Sequence, residues 1–408
     1  MNPFSKKVGR AMARLTLAGG LALLVLSASF WLERNSPLEL PLPTGPFAVG
    51  RVIYGWADAA TPAARSPVSG AEHELLVWIW YPSSAGPSVA MDDYVPAQMR
   101  TAAGPMAGPM RYVTRDLSKV QGHSTRDSGV SPQERTYPVV IMRAGASAGV
   151  VNYSTLAEDL ASHGYVVVGF DAPYRTSVVV FPDGRVMRRT EENNPENCVG
   201  KPRSQEEVCM TRLLTAWTTD IALVLDRLER LNTSSPPGKF TGRLDMARVG
   251  VFGHSFGGAQ AAQFCHDDPR CKAGIDIDGQ PLGSVVQEGL RQPFMFLLSD
   301  HGHSSDPVSR QILANIQSIY DRLPADRRLR VAIRGANHFL FSDDGALLKS
   351  RLVRGVLRGL GGLGIDGDRQ LTVTACCVRS FFDTYLKEAG VSRLKISSPL
   401  YPEIQVSE

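Results

Sequence analysis

The 408-residue sequence has no internal repeat, no phosphate-cradling glycine loop and no Cys/His spacing of the zinc type. Repeat scaffolds, nucleotide-dependent enzymes and structural zinc modules are set aside on that ground. It also lacks an excess of charge of one sign. Lys and Arg number 44 against 40 Asp and Glu, and Lys6, Lys7, Arg10 and Arg14 all precede the first acidic residue, Glu33. The chain beyond them is electrically balanced, which leaves no electrostatic footprint for nucleic acid. Cysteines are few, six in all. Long apolar runs are missing too, with one exception.

That exception is "LTLAGGLALLVLSASFWL", Leu15–Leu32, which carries no charge and follows the four basic residues. A basic stretch before such a run reads as an export signal, and 18 residues lie at the boundary between a cleaved peptide and a membrane anchor. Ser27–Ser29 offers small residues for cleavage, whereas Phe30 and Trp31 suit a membrane interface. Residues 1–32 are therefore expected to carry the body out of the cytoplasm, to the periplasm, the medium or the outer side of a membrane. Proline-punctuated residues 33–44 read as a linker. In an oxidising compartment Cys198 with Cys209, and Cys265 with Cys271, are plausible bridges, each pair bracketing a polar stretch. Cys376 and Cys377 lie in an amphipathic helical pattern and are expected to be packed free thiols.

The composition, 43% hydrophobic and 21% charged, is globular. Strands are read at 47–54, 75–81, 137–143, 165–171, 248–253, 273–278, 294–300 and 329–335. Helical periodicity covers "STLAEDLASHG", "TRLLTAWTTDIALVLDRLERL", "GGAQAAQFC" and 309–322. From the third strand on, strands alternate with helices. This predicts an α/β fold, a sheet of about eight mostly parallel strands with helices on both faces. The first two strands have no helix between them and are expected to pair antiparallel at one edge. One domain spans 45–390, followed by a tail at 391–408. Residues 82–136, rich in Gly, Pro and Met, show no clear pattern; a lid and an ordinary surface excursion are both open readings.

Two segments fit G-x-S-x-G, "GASAG" around Ser147 and "GHSFG" around Ser255. A nucleophile elbow needs a strand running straight into a helix, with tiny residues two places either side of the serine. Ser255 satisfies this: "RVGVF" precedes it, Gly253 and Gly257 flank it, and "GGAQAAQF" opens a helix at once. Several loop residues separate Ser147 from the next helix, whose start is placed at Thr155 by a T-x-x-E capping box with Glu158. The strand order resembles the α/β-hydrolase plan, and "RAGASAG" follows the third strand, where that plan keeps an oxyanion-hole amide. Ser255 is the candidate nucleophile, and the backbone N–H groups of Phe256 and Ala146 are the candidate oxyanion donors.

A serine hydroxyl needs an imidazole to take its proton and a carboxylate to orient the imidazole. Of the histidines after Ser255, His338 in "RVAIRGANHFLF" lies just beyond the last strong strand. His266 is too near the elbow helix, and His254 is expected to pack behind the elbow. His301 and His303 belong to "DHGHSSD", whose spacing matches no common metal motif, so neither metal nor cofactor is expected. For the acid, Asp278, Asp300 and Asp306 remain open, with strand position alone favouring Asp300 or Asp306.

The segment "GHSFGGAQAAQFCHDDPRCKAGIDIDGQPLG" resembles the platelet-activating factor acetylhydrolase family of the plasma, lipoprotein-associated phospholipase A2 type. "GPFAVG", "WYPSS", "LASHGYVVVGFDAPYR" and "IRGANHFLFSD" resemble its segments in the same order, over roughly residues 45–390. The resemblance implies an α/β-hydrolase fold and places the acid at Asp278, 23 residues after Ser255. The chain departs from the family at Arg143–Ser147, where S-H-G-x-G is usual, and at Gly279 and Gln280, where aromatic residues are usual. The expected activity is hydrolysis of carboxylic esters through an acyl-enzyme on Ser255, on a small ester or the sn-2 acetyl of a phospholipid. The alternatives are a general short-chain ester, polyester or lactone hydrolase, of dienelactone hydrolase or cutinase type, and a binding module on an idle hydrolase scaffold. Membrane association through the N-terminal segment is expected.

Overall fold

The computed structural model describes residues 3–62, 72–86, 89–103, 115–146, 148–300, 307–347, 354–355, 359, 364–389 and 399–407. Among them the strands are β1 (Leu38–Glu39), β2 (Ala48–Pro62), β3 (Glu72–Ser83), β4 (Met91–Asp93), β5 (Val120–Arg126), β6 (Tyr137–Arg143) and β7 (Val166–Asp171). They continue with β8 (Val178–Val180), β9 (Val186–Arg188), β10 (Leu244–His254), β11 (Cys271–Ile277), β12 (Phe294–Leu298), β13 (Arg328–Ile333) and β14 (Ile404–Ser407). Twelve form one sheet in the order β1-β5-β2-β3-β7-β6-β10-β11-β12-β13-β14, with β4 beside β5; β8 and β9 make a separate hairpin. The run from β7 through β13 is parallel throughout. This is the α/β-hydrolase fold.

The eight strands read from the sequence are β2, β3, β6, β7 and β10–β13, and they lie side by side at the centre. Four more extend the sheet beyond the expected eight. β2 and β3 do pair antiparallel, but β2 is not the edge, because β5 lies parallel to it and β1 beyond. β5 falls inside 82–136 and escapes a pattern search because its inward positions are polar. Ser124 Oγ donates to Glu158, and Thr125 Oγ1 to the carbonyl of Val49. At the other end β14, from the stretch read as a tail, pairs antiparallel with β13.

The pleat divides the core. Val140 and Met142 of β6 face one way, toward the helices Ser154–Ser162 and Gly367–Leu386. Val139 and Ile141 face the other way, toward the helices Arg203–Asn232, Phe256–Asp267 and Pro307–Arg322. Strands buried on both faces must be apolar at every position, which is why β6 and β7 were legible. The capping box at Thr155 does not form. A 3₁₀ turn, Val150–Tyr153, leads straight into a helix that starts at Ser154, and Glu158 instead accepts from His123 N and Ser124 Oγ. The N-terminal helix Pro3–Asn35 leaves Thr16–Asn35 uncovered.

Candidate active site

The parallel strands end together at one rim, where the loops carry the candidate residues. β10 ends at His254 and the helix begins at Phe256, so Ser255 is the whole turn between them, at φ 57° and ψ −123°. A left-handed conformation at a non-glycine residue costs of order 1–3 kcal/mol and is held by its surroundings. Here Ser255 N donates to Ile277 O at 2.8 Å, and Gly258 N to Ser255 O at 2.9 Å. A Cβ at Gly253 would run into the carbonyl of Gly257, and one at Gly257 into that of Arg143. The two glycines permit a contact no larger residue allows.

His338 opens a short 3₁₀ turn after β13. Its Nε2 lies 3.1 Å from Ser255 Oγ, and its Nδ1 lies 2.8 Å from Asp278 Oδ2. Facing a carboxylate, Nδ1 carries the proton, which leaves the Nε2 lone pair directed at the serine hydroxyl. Asp278 follows β11 and its side chain has no exposure, while that of His338 is 35% exposed. Two further donors fix the carboxylate: Ser299 N at 2.8 Å on Oδ1 and Ser299 Oγ at 2.7 Å on Oδ2. Asp300, one residue on, accepts from Gly335 N at 2.8 Å and so secures the turn leading to His338. Asp306, His301, His303 and Ser147 lie outside the described residues. His266 Nδ1 is engaged with Gly289 O on the far side of the elbow helix.

Phe256 is the first residue of its helix, so its N–H has no carbonyl one turn back to bind. Its ring is pinned edge-on by Trp217, centroids 5.0 Å apart. The loop after β6 comes beside it: a Cβ at Gly145 would stand 3.4 Å from that of Ser255. A cleft of about 660 Å³ opens over Ser255 and His338. Its wall is largely apolar, including Trp78, Tyr94, Val95, Met99, Val178 and Phe339. Tyr94, Val95 and Met99 come from the 82–136 stretch. Among the described residues no cluster of His, Cys, Asp and Glu could hold a metal.

A family model described as platelet-activating factor acetylhydrolase, isoform II, matches residues 34–387. The chain belongs to this family. A probable 1-alkyl-2-acetylglycerophosphocholine esterase of Arthroderma benhamiae is 26% identical over 404 residues, covering 90% of this chain and 94% of that protein. The platelet-activating factor acetylhydrolases of Cavia porcellus and Bos taurus are 27% and 28% identical. Those two alignments cover 51% of this chain and 48% of each relative, so the chain matches about half the length of these mammalian proteins. A solved ferulic acid esterase from Streptomyces cinnamoneus superposes with TM-score 0.73 and 25% identity, over 91% of this chain and 100% of that one. The chain is a carboxylic ester hydrolase.

Around this acetylhydrolase-family site, burial sets the charge states. Burial, reinforced by His338, lowers the pKa of His254 to about 3, so its ring stays neutral. Its Nδ1 is hydrogen-bonded to the Tyr153 hydroxyl at 2.8 Å. Burial raises Asp276, behind the elbow, to about 8, although a hydrogen bond from Gly279 N opposes the shift. Asp171 on the cleft wall is raised by burial to about 6. Arg143, where the family usually has a different loop, is lowered by burial to about 10 and held by Gln260 Oε1 and Phe170 O. Ser299, Tyr153 and Asp276 were not singled out from the sequence. Isolated polar residues carry no spacing signal, whether at the end of a strand, as Asp276 and Ser299 are, or in a 3₁₀ turn, as Tyr153 is.

The structure joins Cys198 to Cys209 and Cys265 to Cys271. The first bridge belongs to a small apolar cluster with Leu213, Trp217 and Phe256, so it lies behind the candidate oxyanion donor. Cys376 and Cys377 are free thiols.

Proposed function

We propose that Ser255, His338 and Asp278 are the catalytic residues of this esterase, and that it cleaves short acyl esters, including the sn-2 acetyl group of ether phospholipids. The observation that carries the reading is the unbroken hydrogen-bonded line from Ser255 through His338 to the buried Asp278, at the floor of an apolar cleft. In this mechanism Ser255 Oγ attacks the ester carbonyl carbon as His338 Nε2 takes its proton, and Asp278 stabilises the imidazolium. The carbonyl oxygen, now negative, receives the N–H groups of Phe256 and Ala146. The intermediate collapses, and the alcohol leaves with the proton from His338. Water, deprotonated by His338, then releases the acyl group as a carboxylic acid. No metal or cofactor enters the reaction as proposed.

The phospholipid reading rests on the names of the relatives and the apolar wall of the cleft. The likeness to a ferulic acid esterase, with Trp78 and Tyr94 on that wall, supports a second reading in which the acyl group is aromatic. We infer that the catalytic domain is exported. A long uncovered apolar helix and two disulfides fit a catalytic domain outside the cytoplasm, tethered or released. A fluorophosphonate probe should form one adduct, on Ser255, and Ser255→Ala should abolish both adduct and turnover. An unlabelled, inactive protein would favour an idle binding scaffold. Rates on p-nitrophenyl acetate to octanoate, a 1-alkyl-2-acetyl phospholipid and methyl ferulate then rank the substrates.

A further inference from the structure

The amide of Ala146 sits in a loop, yet a useful oxyanion donor must not reorient during the reaction. Three successive peptide units around it are each held by a hydrogen bond. Gly145 N–H, in the unit before, donates to the Tyr153 hydroxyl at 3.1 Å. The donor unit itself is held through its carbonyl, Gly145 O, which accepts from Ala148 N at 3.2 Å. The unit after is held through Ala146 O, which accepts from Arg189 Nη1 at 2.9 Å.

We propose that Arg189 and Tyr153 are positioning residues that clamp the Ala146 amide toward the oxyanion from opposite sides. The proposal rests on the catalytic reading above. The two arms come from different parts of the fold. Tyr153 is 1% exposed, beneath the loop, and its hydroxyl is hydrogen-bonded to His254 Nδ1. It thereby ties the loop to the residue preceding the nucleophile. Arg189 follows the β8–β9 hairpin, an excursion that also lines the cleft through Thr176, Ser177 and Val178. Beyond it, Cys198 is bonded to Cys209 near the start of the long helix. The hairpin excursion is thus fastened at its far end and reaches the oxyanion loop through one guanidinium.

The test compares Arg189→Met, Arg189→Lys and Tyr153→Phe on p-nitrophenyl acetate. A trifluoromethyl ketone, which forms a tetrahedral oxyanion adduct with a serine, serves as the probe. Outright loss of an oxyanion donor costs about 10²–10³ in turnover, and a loosened one should cost a fraction of that. Arg189→Met and Tyr153→Phe should each lower kcat about ten-fold with KM nearly unchanged. Ketone affinity should weaken by a similar factor, and Arg189→Lys should recover most of the loss. Each variant's thermal midpoint shows that it is folded; should Arg189→Met not fold, Tyr153→Phe carries the same test. Folded variants that keep ketone affinity, or that lose KM and kcat together without rescue by lysine, overturn the clamp. Ser255→Ala distinguishes the two failures: activity remaining there sinks the catalytic reading, whereas its loss beside unaffected clamp variants sinks only this inference.

Discussion

Asp278 and Asp300 stand at the ends of neighbouring strands with different tasks. Asp278 Oδ2 meets His338 Nδ1, while Asp300 holds Gly335, three residues before that histidine. Replacing Asp278 by Asn keeps the shape but offers an amide where the imidazole needs an acceptor, so the wrong tautomer is favoured. Turnover should fall by about 10⁴, while Asp300→Asn should retain most activity. Steady-state rates on one chromogenic ester decide it, and the reverse pattern would move the acid one strand along. Asp276 governs a different measurement. Its pKa is 3.8 when exposed and about 8 in the fold, so the native state prefers the protonated form. The stability it contributes is complete below pH 3.8 and is lost as pH rises through about 8, at up to about 1.4 kcal/mol per unit. Asp276→Asn keeps an acceptor for Gly279 N and cannot ionise. Relative to wild type, it should gain stability steadily between pH 4 and 8 in denaturant titrations. Parallel pH curves for the two proteins would contradict the assignment.

At the level of elements, register holds the site together. β10 and β11 are paired with His254 opposite Ile277, so Ser255 and Asp278 each lie one residue beyond a hydrogen-bonded pair. The elbow tolerates no added atom. Gly253→Ala sets a methyl group against the Gly257 carbonyl, and overpacking of this kind typically costs about 1–3 kcal/mol. The midpoint of thermal unfolding should drop accordingly and activity should fall with it; an unchanged midpoint with full activity would mean the helix sits further from the strand. These contacts also explain what the sequence disclosed. β6, β7 and β12 were legible because burial on both faces demands apolar runs, and the elbow because its geometry imposes a spacing of glycines. Asp278 was singled out from the other carboxylates only through a family pattern. β5 was hidden because its polar residues find partners from distant segments, and β14 because it is four residues long with three of them exposed. The Thr155–Glu158 spacing misled, since Glu158 has stronger partners on β5 than a helix end.

For the whole molecule, the uncovered helix and the sheet are separable on physical grounds. No residue of Thr16–Asn35 is buried, and the described links at its end involve Glu33, Arg34 and Ser36 with Arg115 and Asp116. A chain beginning at Glu33 should therefore fold, keep its rate on p-nitrophenyl acetate and lose any retention on phospholipid vesicles. Loss of soluble activity in that truncation would assign the helix a structural role.

The two disulfides span only 11 and 6 residues of chain. Closing so short a loop costs little entropy compared with joining distant segments, so each thiol meets its correct partner before most others. Oxidation of the nascent protein can consequently proceed by local encounter, with little need for an isomerase to sort mispaired intermediates.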